Sequence, residues 1–295
     1  MTPLSPTELV FAGFRFARKR PTSILIWSAY YLVVLAVAAW ALIDLTGDRM
    51  QQLFAMLQTP TPDLQAASAL MQDILPGVGF SDLLMLVFGS VMCAAMIRSQ
   101  TEPATKTWAG LRFGEEELRV LGAYALTVVM LFFGLMAAAA AAGLAAGVNQ
   151  AAALIVMILG LLLVAALAVR ISLAPVIVFT EKRISLRRSW AMTQGVFWRL
   201  AGAYVLLAAI AGVVLTLSAV IFGALIGGAA LAAGGGVASL AQAARQNFEG
   251  MNPVLIGLSV LSNLVQVWLM VVFISVGLNI AIQAYRAVLP VSPKG

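Results

Sequence analysis

Six long apolar runs, near residues 22–43, 79–98, 118–146, 150–172, 199–229 and 254–286, constrain this chain more than any other feature. Each comes close to or exceeds the ~20 residues that a helix needs to cross ~30 Å of hydrocarbon. The runs lack the alternation of a barrel strand, and a helix satisfies its own backbone polar groups, so helices are the expected spanning element. A soluble alternative fails on composition: 10% of the 295 residues are charged and 62% are hydrophobic, against about 25% charged in a soluble domain. The expected fold is all-α, an integral-membrane six-helix bundle, with residues 1–295 forming a single membrane domain.

Lysine and arginine set the expected orientation. All but Arg49 and Arg245 of the 18 basic residues fall before span 1, between spans 2 and 3, between spans 4 and 5, or after span 6. The N-terminus alone carries Arg15, Arg18, Lys19 and Arg20, and Lys294 closes the C-terminus. Asp44, Asp48, Asp63, Asp73, Asp82 and Glu249 fall on the opposite side. Six spans with both termini in the cytoplasm of a bacterial inner membrane satisfy this segregation; an odd number breaks it. The pI of 9.9 then reports a basic cytoplasmic face suited to anionic lipid head groups, at about 1 kcal/mol per basic residue near the surface, and not to nucleic acid.

Helix punctuation refines the map. Ser81, Asn149 and Asn252 suit N-caps for spans 2, 4 and 6, and Pro253 suits a first helical position. Asp82 would then sit in a first turn, favoured by the helix dipole; a proton relay is the sharper alternative. Residues 24–43 form an apolar core longer than the ~7–15 of a signal peptide, which favours an uncleaved anchor. An outer loop is expected over 44–78, with short amphipathic helices at 48–58 and 62–75 split by Thr59-Pro-Thr-Pro62. Leu53, Phe54, Met56 and Leu57 would rest on the outer leaflet or cap the bundle. A second outer loop begins at the glycines near 234–236.

An internal pattern suggests three hairpin repeats. Arg119-Val-Leu-Gly-Ala-Tyr124-Ala-Leu126 recurs 80 residues later as Arg199-Leu-Ala-Gly-Ala-Tyr204-Val-Leu206, and Ser28-Ala-Tyr30-Tyr-Leu32 is a weaker copy. Thr107-Trp108-Ala109 and Ser189-Trp190-Ala191 precede the two strong copies, and Gly13-Phe14-Arg15-Phe16 matches Gly110-Leu111-Arg112-Phe113. Each repeat is read as a cytoplasmic interfacial amphipathic helix (1–20 and 183–196 among them), followed by an outward and a returning span. Convergence among span ends rich in Gly, Ala and aromatic residues is the competing explanation. Gly143-x-x-x-Gly147 and Gly223-x-x-x-Gly227 are weak close-approach motifs.

Candidate contact residues are few. Arg170 interrupts an apolar stretch, so it either snorkels to the inner head groups or faces a ligand. Pro175 marks a kink or helix end, after which residues 175–179 are expected to dip into the interface. Span 6 carries Asn263 and Gln266 on one face and Asn279 and Gln283 on another; these amides either bond neighbouring helices or line a polar groove. Arg187, Arg188, Trp190 and Arg199 complete the set of candidate ligand or lipid contacts. No catalytic, metal or cofactor residues are assigned. Histidine is absent, which removes the commonest general base and metal ligand. The lone Cys93 lies in an apolar run and reads as packing. There is no G-x-x-x-x-G-K-[ST] stretch.

The segment Ala174-Pro175-Val-Ile-Val-Phe-Thr-Glu181, with Leu186-Arg-Arg-Ser-Trp190-Ala-Met-Thr193-Gln-Gly195-Val-Phe-Trp198-Arg199, resembles the membrane domain associated with bacterial glycerophosphoryl diester phosphodiesterases. It is also similar to YciC-like inner-membrane proteins. The resemblance implies an envelope membrane module, not diesterase chemistry, which belongs to a separate catalytic domain. Three functions are weighed. The first is a non-enzymatic scaffold that binds anionic lipids or recruits a protein partner. The second is a transporter or channel for a small or amphiphilic solute between the hairpins, and the third is an intramembrane enzyme. The first is preferred, because no coupling site for transport and no catalytic constellation is visible.

Overall fold

The computed structural model describes residues 5–57, 63–102, 108–232 and 253–289. The break at 59–62, the glycines at 234–236, the Asn252 cap and the charges Lys106, Arg245, Glu249 and Lys294 lie outside these residues. All regular structure among the described residues is helical: α1 (Pro6–Lys19), α2 (Pro21–Thr46), α3 (Arg49–Leu57), α4 (Leu64–Thr101), a 3-10 turn (Trp108–Gly110), α5 (Glu115–Ala146), α6 (Gln150–Ile171), α7 (Ala174–Glu181), α8 (Leu186–Thr193), α9 (Phe197–Ala232) and α10 (Pro253–Val288). Six stretches are long and apolar enough to cross a membrane: Pro21–Thr46, Gln65–Thr101, Glu115–Ala146, Gln150–Glu181, Phe197–Ala232 and Pro253–Val288. This is a multi-pass membrane protein. At ~1.5 Å per residue, the 36 residues of α9 and of α10 exceed ~30 Å of hydrocarbon and must tilt or protrude.

The single domain expected from the sequence resolves into two compact units, residues 1–28 with 192–295 and residues 29–191. In the first unit α1 packs on α9 and α10. Ser5 and Glu8 form a reciprocal capping box that starts α1, satisfying two otherwise orphaned donors. Leu9, Val10, Gly13 and Ala17 are buried, a spacing that gives one helical face. Gly13 allows the close approach: a Cβ there would lie 2.7 Å from Val276 Cγ1 and 3.0 Å from its Cα. Phe14 meets Phe273 edge-on at 6.1 Å. Asn149 caps α6 through the amide of Ala152, and Pro253 opens α10, as the sequence predicts.

In the second unit the outer-loop expectation is corrected. Residues 62–75 do not form a separate helix, because α4 runs unbroken from Leu64 to Thr101 with Pro76 inside it. An interior proline costs about 3 kcal/mol. Here the adjoining Gly77 lets the end of α2 close in, its missing Cβ lying 2.8 Å from Thr46 Cγ2 and 3.1 Å from Leu45 Cβ. Asp63 is therefore the N-cap of α4. Ser81 is not a cap; its hydroxyl donates to the Ala38 carbonyl of α2 at 2.9 Å. Asp82 lies mid-helix, exposed, so the first-turn dipole reading fails. Leu53 of α3 packs with Ala67 and Ile74 of α4, while Phe54 stays exposed.

Further on, α7 is buried against protein. Leu173, Ala174 and residues 176–179 are all buried, and α7 packs on α4 and α5. The first glycine of each predicted motif makes no close helix contact among the described residues. Gly143 and Gly223 face open space and Gly147 ends α5. The α5–α6 pair closes instead where Gly160 meets Ala138 and Gly134 meets Val164. In a span, small residues at such crossings supply van der Waals contact that apolar bulk does not.

The recurring string occupies like places in both units. Val120 and Ala123 are buried, as are Leu200 and Ala203. Gly122 receives the Ile184 side chain, just before α8, and Gly202 receives Pro6, at the start of α1. Ser185 and Ser5 each accept from the amide three residues on, Arg188 and Glu8. So the start of one basic helix seats on the repeated glycine in each unit. The second leader breaks the pattern: among the described residues it is only the 3-10 turn ending at Gly110 (φ 79°), not an amphipathic helix. A Cβ at Gly110 would lie 3.1 Å from the Ala95 carbonyl oxygen, so this turn requires glycine.

Candidate functional site

The last turn of α6 and the start of α8 bring two sequence candidates together. The Arg170 guanidinium stacks 5.3 Å from the centre of the Trp190 ring, a cation–π contact. Ser189, fully buried, donates to the Arg170 carbonyl at 2.8 Å. Arg188 pairs with Glu181 at 2.6 Å, and Arg187 is exposed. In the other unit Arg199 is exposed beside the 83% exposed Trp198. Of the α10 amides, Asn279 is buried, and Gln266 and Gln283 are half-buried. Asn263 is turned inward on its own helix, donating to the Ser259 carbonyl at 2.9 Å.

The most concentrated electrostatics lie where the sequence pointed to nothing. Arg98, near the end of α4, is 1% exposed. It donates to the Gly110 carbonyl, to Glu116 at 2.8 Å and to Glu117, and its guanidinium lies 5.4 Å from the Phe179 ring centre. Glu117 is also 1% exposed. Arg112 reaches Glu116 at 2.6 Å and Arg119 reaches Glu115 at 2.5 Å. The hydrogen bond to Glu116 pushes the Arg112 guanidinium above its ordinary value, so it is cationic at any physiological pH. Read from sequence, Arg98 is one of several loop cations. The signal that marks it is the block before it: residues 91–97 are buried without exception, so α4 has no free face there, and a charge on its next turn inherits the burial.

Comparison with family models, with curated proteins and with solved structures finds no match. Neither the cleft along α1, lined by Phe11, Phe14, Arg15 and Arg18, nor the cleft at the start of α5 borders Arg170 or the α10 amides. Transport through those residues therefore gains no support from them. What each unit offers chemically is exposed cations beside aromatic rings, and residues 29–191 add a buried ionic cluster at Arg98.

Proposed function

We propose that this is a non-enzymatic multi-pass protein of the bacterial inner membrane, with both termini in the cytoplasm, that binds anionic lipids and acts as an envelope scaffold or partner-recruiting module. The observation that carries the reading is α1. Its buried stripe faces α9 and α10, while Arg15, Arg18 and the 55% exposed Phe11 face away. That is the build of a helix lying in the head-group plane. Exposed Trp198 beside Arg199, and Trp190 near exposed Arg187, repeat the pairing of aromatic ring and cation. The resemblance to YciC-like proteins agrees with this reading.

The test uses the full-length protein in nanodiscs of phosphatidylcholine, titrated with phosphatidylglycerol. At about 1 kcal/mol per charge, the combined variant Arg15→Gln, Arg18→Gln, Arg187→Gln should lose on the order of a hundredfold in phosphatidylglycerol affinity at low salt. Added salt should weaken the wild type toward the variant. Equal affinity in the two proteins would refute the proposal.

A further inference from the structure

A cleft of about 370 Å³ opens at the start of α5, with Arg112, Gly114, Glu117, Arg119 and Lys182 in its lining. The ion pairs described above use one oxygen of Glu117 and satisfy the other two glutamates. Three groups are then left over: Arg98 Nε, buried and without a hydrogen-bond partner, and two in the lining of the cleft. Glu117 Oε2 has no hydrogen-bond partner although the residue is 1% exposed. Lys182 makes no ion pair among the described residues. A buried acceptor without a donor is costly, and an unmatched lysine beside it is a complementary half-site.

Gly114 is extended (φ −166°) and gives α5 no side-chain cap, so the conformation does not demand glycine. A Cβ there would lie 3.4 Å from Glu117 Oε2, so glycine leaves the least side-chain bulk between the cleft and that buried oxygen. Lys182 sits at φ 55°, a left-handed position normally given to Gly or Asn.

We propose that this cleft binds a phosphate ester carrying a primary ammonium, of the phosphoethanolamine type. The phosphate lies on Lys182 and the first-turn amides of α5, and an ammonium N–H donates to Glu117 Oε2. The proposal rests on the reading of a lipid-binding membrane protein and adds to the anionic lipids a zwitterionic headgroup with a place of its own. A quaternary ammonium has no N–H to give, so a choline headgroup fails at Glu117.

The test compares dihexanoyl phosphatidylethanolamine, the matching phosphatidylcholine and acyl-free O-phosphoethanolamine, each titrated into the full-length protein in detergent and read by native mass spectrometry. The ethanolamine lipid should bind at least tenfold tighter than the choline lipid. Lys182→Gly and Gly114→Val should each abolish that preference. Thermal stability of Lys182→Gly should not fall, because glycine fits φ 55° better than lysine, so its loss of binding cannot be misfolding. Equal binding of the two lipids, or a preference that survives both substitutions, overturns the proposal. If O-phosphoethanolamine binds as tightly as the lipid, the chemistry stands with a soluble ester as its source; if only the lipid binds, it stands with the membrane as its source. Phosphatidylglycerol binding lost in the Arg15/Arg18/Arg187 variant is independent of this preference, so the two readings fail separately.

Discussion

Arg98→Met should destabilise the protein by about 3–5 kcal/mol, the usual penalty for breaking a buried ion pair by removing one partner. The substitution keeps much of the side-chain volume, so the loss is electrostatic. Glu117, 1% exposed, would hold a buried carboxylate without its ion-pair partner, and the Gly110 carbonyl would lose its donor. Arg98→Lys should recover only part, because an ammonium cannot present a planar fork to Gly110, Glu116 and Glu117 together. The double variant Arg98→Met, Glu117→Met should recover more than Arg98→Lys, since replacing both partners leaves no buried charge unmatched. Thermal unfolding of the detergent-solubilised variants, with tryptic cleavage as a second readout, orders the four proteins. A single Arg98→Met variant within about 1 kcal/mol of wild type would contradict a structural anchor here.

Gly13→Leu should release α1 from the helices it rests on. The added Cβ alone lands 2.7 Å from Val276 Cγ1 and 3.0 Å from Val276 Cα, and the second of these is backbone that cannot rotate away. Overpacking of this kind costs about 1–3 kcal/mol in a core; a helix held on one face pays by lifting off. Ala17, on the same buried stripe, reports the event. Cysteine at 17 should react slowly with a maleimide in otherwise wild-type protein and several times faster with leucine at 13. Serine at 13 should be intermediate. An unchanged rate would mean that α1 is held by something other than this contact. Because Arg15 and Arg18 face away from the contact, a released α1 keeps its exposed charges. Phosphatidylglycerol binding should then survive Gly13→Leu, which separates docking from lipid affinity.

Some of these features are legible in the residues and others are not. The amphipathic α1 follows from its period, and the α6 start follows from Asn149, because both are local rules. The start of α4 does not. Pro76, Gly77 and Gly79 look like a break, yet the helix continues through them because the end of α2 packs into the gap at Gly77. Arg170 and Trp190 are each visible as anomalies, but nothing in their spacing says that the ring stacks on the guanidinium. Arg98 is hidden for the opposite reason: it sits where cations are expected, and only the complete burial of residues 91–97 makes it exceptional. The matched glycines 122 and 202 belong to a string seen in the sequence. That each takes a residue at or just before the start of a basic helix is a contact between segments distant along the chain.

The sequence by itself determined the all-helical class and the six apolar crossings, since hydrocarbon demands ~20 apolar residues and an internally satisfied backbone of every span. It also determined the grouping of charge at the helix ends, since a charge inside the bilayer is costly. Only the tertiary structure decided where α4 begins, which glycines are contacts, and which of many cations is buried. Those outcomes depend on what lies across each residue in space, and a one-dimensional pattern of hydrophobicity does not contain that neighbour.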